Sequence, residues 1–318
     1  MKYIDVFNGD ADGICALHQL RLAQPVDSEL VTGVKRDISL LKRVQAGAGD
    51  KVTVLDISLD KNRDDLIRLL EAGAETRYFD HHFAGDIPDM AGLDAHINTD
   101  ANVCSSLLVN DYLKGQYLPW AVTAAFGDNL FDSAEAAAAP LKLSAEKLLQ
   151  LKLLGTCINY NGYGSALEDL IFDPAELYKL ISQYEDPFDF INNEPAYQLL
   201  LNGYNEDISN VENLKPEYTD EGHTLYVLPA EKWARRVSGV YANDLAQHNP
   251  DCAHAMLTRK EDGGFVVSVR APLNNKTGAD ELCRQFETGG GRKAAAGVNH
   301  LPENDYENFL SSFKKAFI

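Results

Sequence analysis

The run Asp80-His81-His82 joins a carboxylate to two adjacent imidazoles. It follows the strand-patterned stretch Glu75-Thr76-Arg77-Tyr78-Phe79 and precedes the loop Phe83-Ala84-Gly85. Such a trio can hold a divalent cation and still leave one ring for a substrate. Neighbouring side chains on a regular strand point to opposite faces, so both rings serve one site only where the strand ends. Taken singly, the trio reads as capping or surface residues. Three further acidic positions change that reading: Asp10-Ala11-Asp12-Gly13, Asp56 and Asp128, each closing an apolar run. Each is also an ordinary turn or helix-cap residue when met alone. Gathered at one place, these like charges repel unless a cation lies between them. Two carboxylates two residues apart can each hold one of two neighbouring cations, and Asp56 suits a bridge between them. Cations about 3.5–4 Å apart clamp the attacking and leaving oxygens of a phosphate ester. Aspartates with some histidine suit manganese or magnesium better than thiolate-seeking zinc.

The elements that must bring these residues together follow from the hydrophobic pattern. Tyr3-Ile4-Asp5-Val6-Phe7 reads as a short strand, and the pattern from Ile14 onward reads as helix. Residues 29–34 and 51–55 give two more strands. An amphipathic helix over 61–71 places Leu66, Leu69 and Leu70 on one face, and Gly73 stops it. Residues 75–79 give a fourth strand. Strands alternating with helices predict a doubly wound, mostly parallel sheet, with ligands bound beyond the carboxyl ends of the strands. Asp10, Asp56 and Asp80 fall there. A helical part follows, over about 102–113, 118–127, 142–156, 174–183 and 196–213, and the alanine-rich stretch 134–139 reads as helix or loop. The pattern breaks near Leu214-Lys215-Pro216-Glu217. A smaller α/β domain comes after it, with strands near 224–228, 253–259 and 264–270 and helices near 236–247, 279–286 and 304–317. The expected division is 1–190 for the first domain, 191–218 for a linking helix and loop, and 219–318 for the second.

A chain of 318 residues can bury two cores, and 45% hydrophobic with 24% charged residues is an ordinary globular composition. Apolar runs fall short of the roughly 18 residues a membrane span needs. The five cysteines are dispersed, which favours free thiols in a reducing cytoplasm over a disulfide framework or zinc site. A net charge of −19 disfavours long nucleic acid, whose affinity comes largely from phosphate neutralisation. A short oligonucleotide or small nucleotide remains compatible when bound metal supplies positive charge. A homodimer is compatible with the sequence.

Asn8-Gly9-Asp10-Ala11-Asp12-Gly13, Asp56, Asp80-His81-His82 and Gly127-Asp128 resemble, in order, the four motifs of the DHH phosphoesterase superfamily. The segment 289–297, GGGRKAAAG, is similar to the glycine-rich motif of the DHH-associated C-terminal domain. That domain marks the first subfamily, shared by RecJ-type exonucleases, nanoRNases and cyclic-dinucleotide phosphodiesterases. The resemblance implies that Asp10 binds a first metal ion and Asp12 a second. Asp56 would bridge them, His81 and Asp128 would complete the second site, and His82 would face the phosphate. Arg270 matches a substrate-contacting arginine, and Gly289, Gly290 and Gly291 would let backbone amides approach a phosphate. Two departures stand out. Many members carry a histidine where this chain has Val6, and RecJ-type members an aspartate where it has Asn8. The first site then uses the Asn8 carbonyl oxygen, binds weakly, or stands empty. Arg292 replaces the usual histidine of the glycine motif; it can grip phosphate but cannot act as an acid near neutral pH.

The resulting expectation is a hydrolase that cleaves phosphodiesters or phosphomonoesters with metal-activated water, using two Mn2+ or Mg2+ ions. A nucleotide-binding protein on a weakened phosphoesterase scaffold is the alternative. An inorganic pyrophosphatase fits less well, given the glycine motif.

Overall fold

Strand β1 (Tyr3–Phe7) sits inside a sheet with β2 (Glu29–Val31), β3 (Lys51–Leu55), β4 (Glu75–Asp80) and β5 (Leu93–Ile97). The strand order is β2-β1-β3-β4-β5, and every pair is parallel. This computed structural model describes residues 1–317. The chain divides into two units, Met1–Tyr204 and Asn205–Ile318, the boundary falling within one helix. Alternate residues of the strands feed two cores. Ile4, Val6, Val52, Val54 and Tyr78 pack with the buried leucines of α2 (Leu59–Glu71). Phe7, Leu55 and Phe79 pack with α1 (Ala11–Ala23). Burial on both faces is what a parallel sheet with apolar strands requires. β5 was not expected from the sequence. Its polar pattern, with exposed Asp94 and Ala95, is that of an edge strand.

Helices α3 (Ser105–Tyr112), α4 (Leu118–Gly127), α5 (Phe131–Ala138), α6 (Ala145–Asn161), α7 (Pro174–Ile181), α8 (Pro187–Asn193) and α9 (Pro195–Glu212) follow. The alanine-rich stretch belongs largely to α5. The helix expected over 142–156 starts later, because Lys142 is left-handed and Ser144 caps the first turn; it then runs on to Asn161. α1 is buried from Ala11 to Leu20 because α3, α4 and α6 cover the side turned from the sheet. α4 and α6 touch backbone to backbone. A Cβ on Gly155 would lie 2.0 Å from the Thr123 carbonyl oxygen, so only glycine fits. That crossing sets the position of Asp128, the residue that ends α4.

The second unit holds β6 (Tyr218–Thr219), β7 (His223–Leu228), β8 (Ala253–Arg259), β9 (Phe265–Arg270), β10 (Gly289–Gly291) and β11 (Ala295–Leu301), ordered β10-β11-β9-β8-β7-β6. β7 and β8 are parallel and joined by α10 (Lys232–His248); the other pairs are antiparallel. Helices α11 (Ala279–Cys283) and α12 (Tyr306–Ala316) bury Leu282, Phe309 and Phe313 against Val267, Val269 and Val298. The architecture is the expected one: a doubly wound sheet with a helical part, and a smaller α/β unit. Among the described residues no helix is long and apolar enough to cross a membrane.

Candidate metal centre

The sheet reverses its winding between β1 and β3, which is where ligand crevices form in such folds. Asp10 follows β1, Asp56 follows β3, and Asp80 ends β4 with His81 and His82 beyond it. Asp56 has φ 58°, a left-handed conformation that costs a non-glycine residue about 1–3 kcal/mol. Its N–H still donates to the Phe79 carbonyl at 2.9 Å, so the turn leaves directly from the sheet.

Four predicted residues converge. His81 Nε2 lies 3.3 Å from Asp56 Oδ1, 3.7 Å from Asp128 Oδ2 and 3.9 Å from Asp12 Oδ2. Both Asp12 oxygens accept backbone N–H bonds at 2.7 Å, from Ser105 and Ser106 at the start of α3. Ser105 Oγ donates to Asp56 Oδ1 at 3.1 Å. His82 is set differently. Its Nδ1 is 2.7 Å from Asp80 Oδ1, and the ring is 44% exposed. Asp80 also accepts the His82 N–H, so it orients the second histidine.

The charges need a counter-ion. Burial lifts the Asp56 carboxyl well above its ordinary value, and Asp12, Asp10, Asp128 and Asp80 lift it further. Asp128 is raised to about 6, chiefly by burial, with Lys35 opposing and Asp12 and Asp10 adding. Burial works against His82 protonation, but its bond to Asp80 and that residue's charge outweigh it and raise its pKa. Asp12, His81 and Asp128 present ligand atoms within 4.8 Å of one another, as do Asp56, His81 and His82. The two groups share His81, whose Nε2 faces Asp12, Asp56 and Asp128, and carboxylate-rich donor sets of this kind suit a hard divalent cation.

The Asp10 corner is built otherwise. Asp10 Oδ1 accepts from the N–H groups of Asp12 and Gly13 at 3.1 Å, capping α1. Its Oδ2 pairs with Lys35 Nζ at 2.5 Å. Burial would raise this carboxyl, yet Lys35 and the Gly13 amide hold it below its ordinary value. Lys35 Nζ also reaches Asn159 Oδ1 at 2.8 Å and Asp128 Oδ1 at 3.5 Å. Asn8 Nδ2 donates to the Lys35 carbonyl, and Asn8 Oδ1 is buried without a hydrogen-bond partner. Val6 is buried in the apolar layer beneath β1. In this corner the positive charge beside Asp10 is the Lys35 ammonium.

In the second unit, Arg270 ends β9 and donates through Nε to Asn243 Oδ1 at 2.6 Å and through Nη2 to the Gly239 carbonyl. It pairs in register with Ala295 of β11. Gly289, Gly290 and Gly291 form β10, and Arg292 begins the exposed turn into β11. Gly289 packs against α11, where a Cβ would sit 1.7 Å from the Cys283 carbonyl oxygen; Gly290 faces open space. The triple glycine is therefore partly a packing device, with Gly290 accessible to a ligand.

No protein-family model and no curated protein matches the sequence. Solved structures do. The chain is similar to exonuclease RecJ bound to manganese, with TM-score 0.67 and 17% identity over 99% of this chain and 89% of that one. It is similar to PggH, a pGpG-specific phosphodiesterase from Vibrio cholerae, with TM-score 0.62 and 16% identity over 99% and 98%. The fold is RecJ-like and of the DHH type. RecJ from Thermus thermophilus in complex with Mn2+ gives TM-score 0.60 and 18% identity, covering 99% of this chain and 52% of that chain.

On this DHH-type fold, three contributors went unseen in the sequence. Lys35 lies past the end of β2, and nothing in a linear pattern reveals that β2 neighbours β1. Ser105 and Ser106 follow the extended Cys104 as an ordinary helix start. Their one signal is the helix N-terminus, whose free N–H groups attract carboxylates.

Proposed function

We propose that this chain is a divalent-metal-dependent phosphoesterase that hydrolyses phosphodiester or phosphomonoester bonds in short oligonucleotides or small nucleotides. The carrying observation is the convergence of the buried Asp12 and Asp56 and the partly buried Asp128 on His81 Nε2. The manganese of the similar RecJ structures supports Mn2+ or Mg2+ as the ion, and the phosphodiesterase PggH supports a small nucleotide substrate. When bound, the cation supplies Lewis-acid polarisation of the phosphate and a more acidic water. The chain's residues do the rest. The α3 amides fix Asp12, and Ser105 Oγ steadies Asp56. Asp80 holds the His82 ring through Nδ1, which leaves Nε2 to donate to a phosphate oxygen; the raised His82 pKa favours that protonated form. Arg270, Gly290 and Arg292 form the candidate nucleotide-reading surface of the second unit. The test is hydrolysis of dinucleotides and of bis(p-nitrophenyl) phosphate with Mn2+, compared with Asp56→Asn. Equal rates in the two proteins refute the metal mechanism.

A second reading is a nucleotide-binding protein without turnover. The pairing of Asp10 with Lys35 favours it, since it withdraws a carboxylate from metal binding. It predicts dinucleotide binding by calorimetry with no product on chromatography.

A further inference from the structure

We propose that the Lys35 ammonium takes the position of one cation of a binuclear centre, so that this chain holds a single divalent ion beside a built-in positive charge. The inference rests on the phosphoesterase reading and adds to it the number of ions and the residue that replaces one of them.

Lys35 is held at both ends. Its backbone N–H donates to the Gly162 carbonyl at 2.8 Å, and its carbonyl accepts from Asn8 Nδ2 at 3.3 Å. An ammonium has three protons to donate. Here it meets three oxygens from three parts of the unit: Asp10 Oδ2 and Asn159 Oδ1 within hydrogen-bond reach, and Asp128 Oδ1 at 3.5 Å. The side chain is 27% exposed, so this is a partly buried pair and not a solvated surface contact. Little is left here to furnish a metal shell. Val6 is apolar, both Asp10 oxygens are occupied, and Asn8, whose Nδ2 donates to the Lys35 carbonyl, offers only its neutral, unpartnered Oδ1. Asp128 is shared: one oxygen faces Lys35 and the other faces His81. Lys35 therefore neutralises the Asp10 side of the cluster and leaves Asp12, Asp56, His81 and one Asp128 oxygen to the ion. A phosphate approaching this edge meets one exchangeable charge and one covalently fixed charge.

The test titrates the chelator-treated full chain with Mn2+, counting ions by calorimetry and elemental analysis and reading exchange coupling by electron paramagnetic resonance. The wild type is expected to bind one Mn2+ per chain with an uncoupled spectrum. Lys35→Glu places a carboxylate about one bond short of the ammonium position and is expected to bind two, with coupling; Lys35→Met gains the second ion only at millimolar Mn2+. Lys35→Arg stays at one. Two tight, coupled ions in the wild type overturn this inference and leave the phosphoesterase reading intact, and so does a count of one in both Lys35→Glu and Lys35→Met. No bound ion in the wild type overturns the phosphoesterase reading, and this inference with it.

Discussion

Asp5 and Asp56 are both buried carboxylates of the same sheet, and they are treated in opposite ways. Asp5, in the middle of β1, receives a forked pair of bonds from Arg21 and a third from Ser28 Oγ at 2.6 Å. Thr53 Oγ1 in turn accepts from Arg21. Its charge is balanced within the chain. Asp56, one residue past β3, has the Ser105 hydroxyl as a donor and otherwise faces Asp12, Asp10, Asp128 and the two histidines. A buried charge is tolerated when paired and hydrogen-bonded. Where the chain withholds the partner, as at Asp56, balance requires a proton or a cation from solution. Asp10 belongs with Asp5 in this respect, since Lys35 answers it.

The contrast breaks most sharply at Asp56. Asp56→Asn is expected to lower Mn2+-dependent hydrolysis by about 10³-fold, the scale of a lost transition-state electrostatic contact. The same change should raise the melting temperature of the metal-free protein, because it removes a charge the fold penalises. Arg21→Met should do the reverse. It leaves Asp5 charged and unpaired, costing about 3–5 kcal/mol in denaturant unfolding, while the Mn2+ stoichiometry of the folded protein stays unchanged.

Acidification separates the two regions further. A carboxyl whose folded pKa is raised contributes stability below its unfolded pKa and loses that contribution as pH rises through the folded value. Asp128 at about 6, and Asp56 raised in the same sense, should make the metal-free protein more stable as pH falls from about 7.5 to about 5.5. The raised His82 acts in the same direction. Saturating Mn2+ should invert the trend, since protons compete for the ligands. Thermal melts across that range with and without Mn2+ check it. The smallest effect is at Ser105. Ser105→Ala removes one hydrogen bond to Asp56 and should weaken Mn2+ binding about fivefold, near 1 kcal/mol, by calorimetry.

Much of this arrangement could be read from residue order. β1, β3, β4, α2 and the strands β8 and β9 follow their hydrophobic periods, because each buries a regular face. Asp12, Asp56, His81 and Asp128 meet as their places at element ends imply. What escaped was set by tertiary context. β5 joins an edge with a polar pattern, and α8 is a seven-residue helix between two prolines. Lys35 looks like any surface cation until the sheet order places the loop after β2 beside the one after β1. At Asp10, where the sequence led to a first ion, the structure places the ammonium of Lys35, a side chain that has no motif of its own.

The most direct measurement is anomalous diffraction at the manganese edge from crystals of the chelator-treated protein soaked in Mn2+. One peak is predicted within bonding distance of Asp12, Asp56, His81 and Asp128, with Lys35 still on Asp10. Density beside Asp10 with the lysine displaced, or no peak among the four ligands, would contradict it.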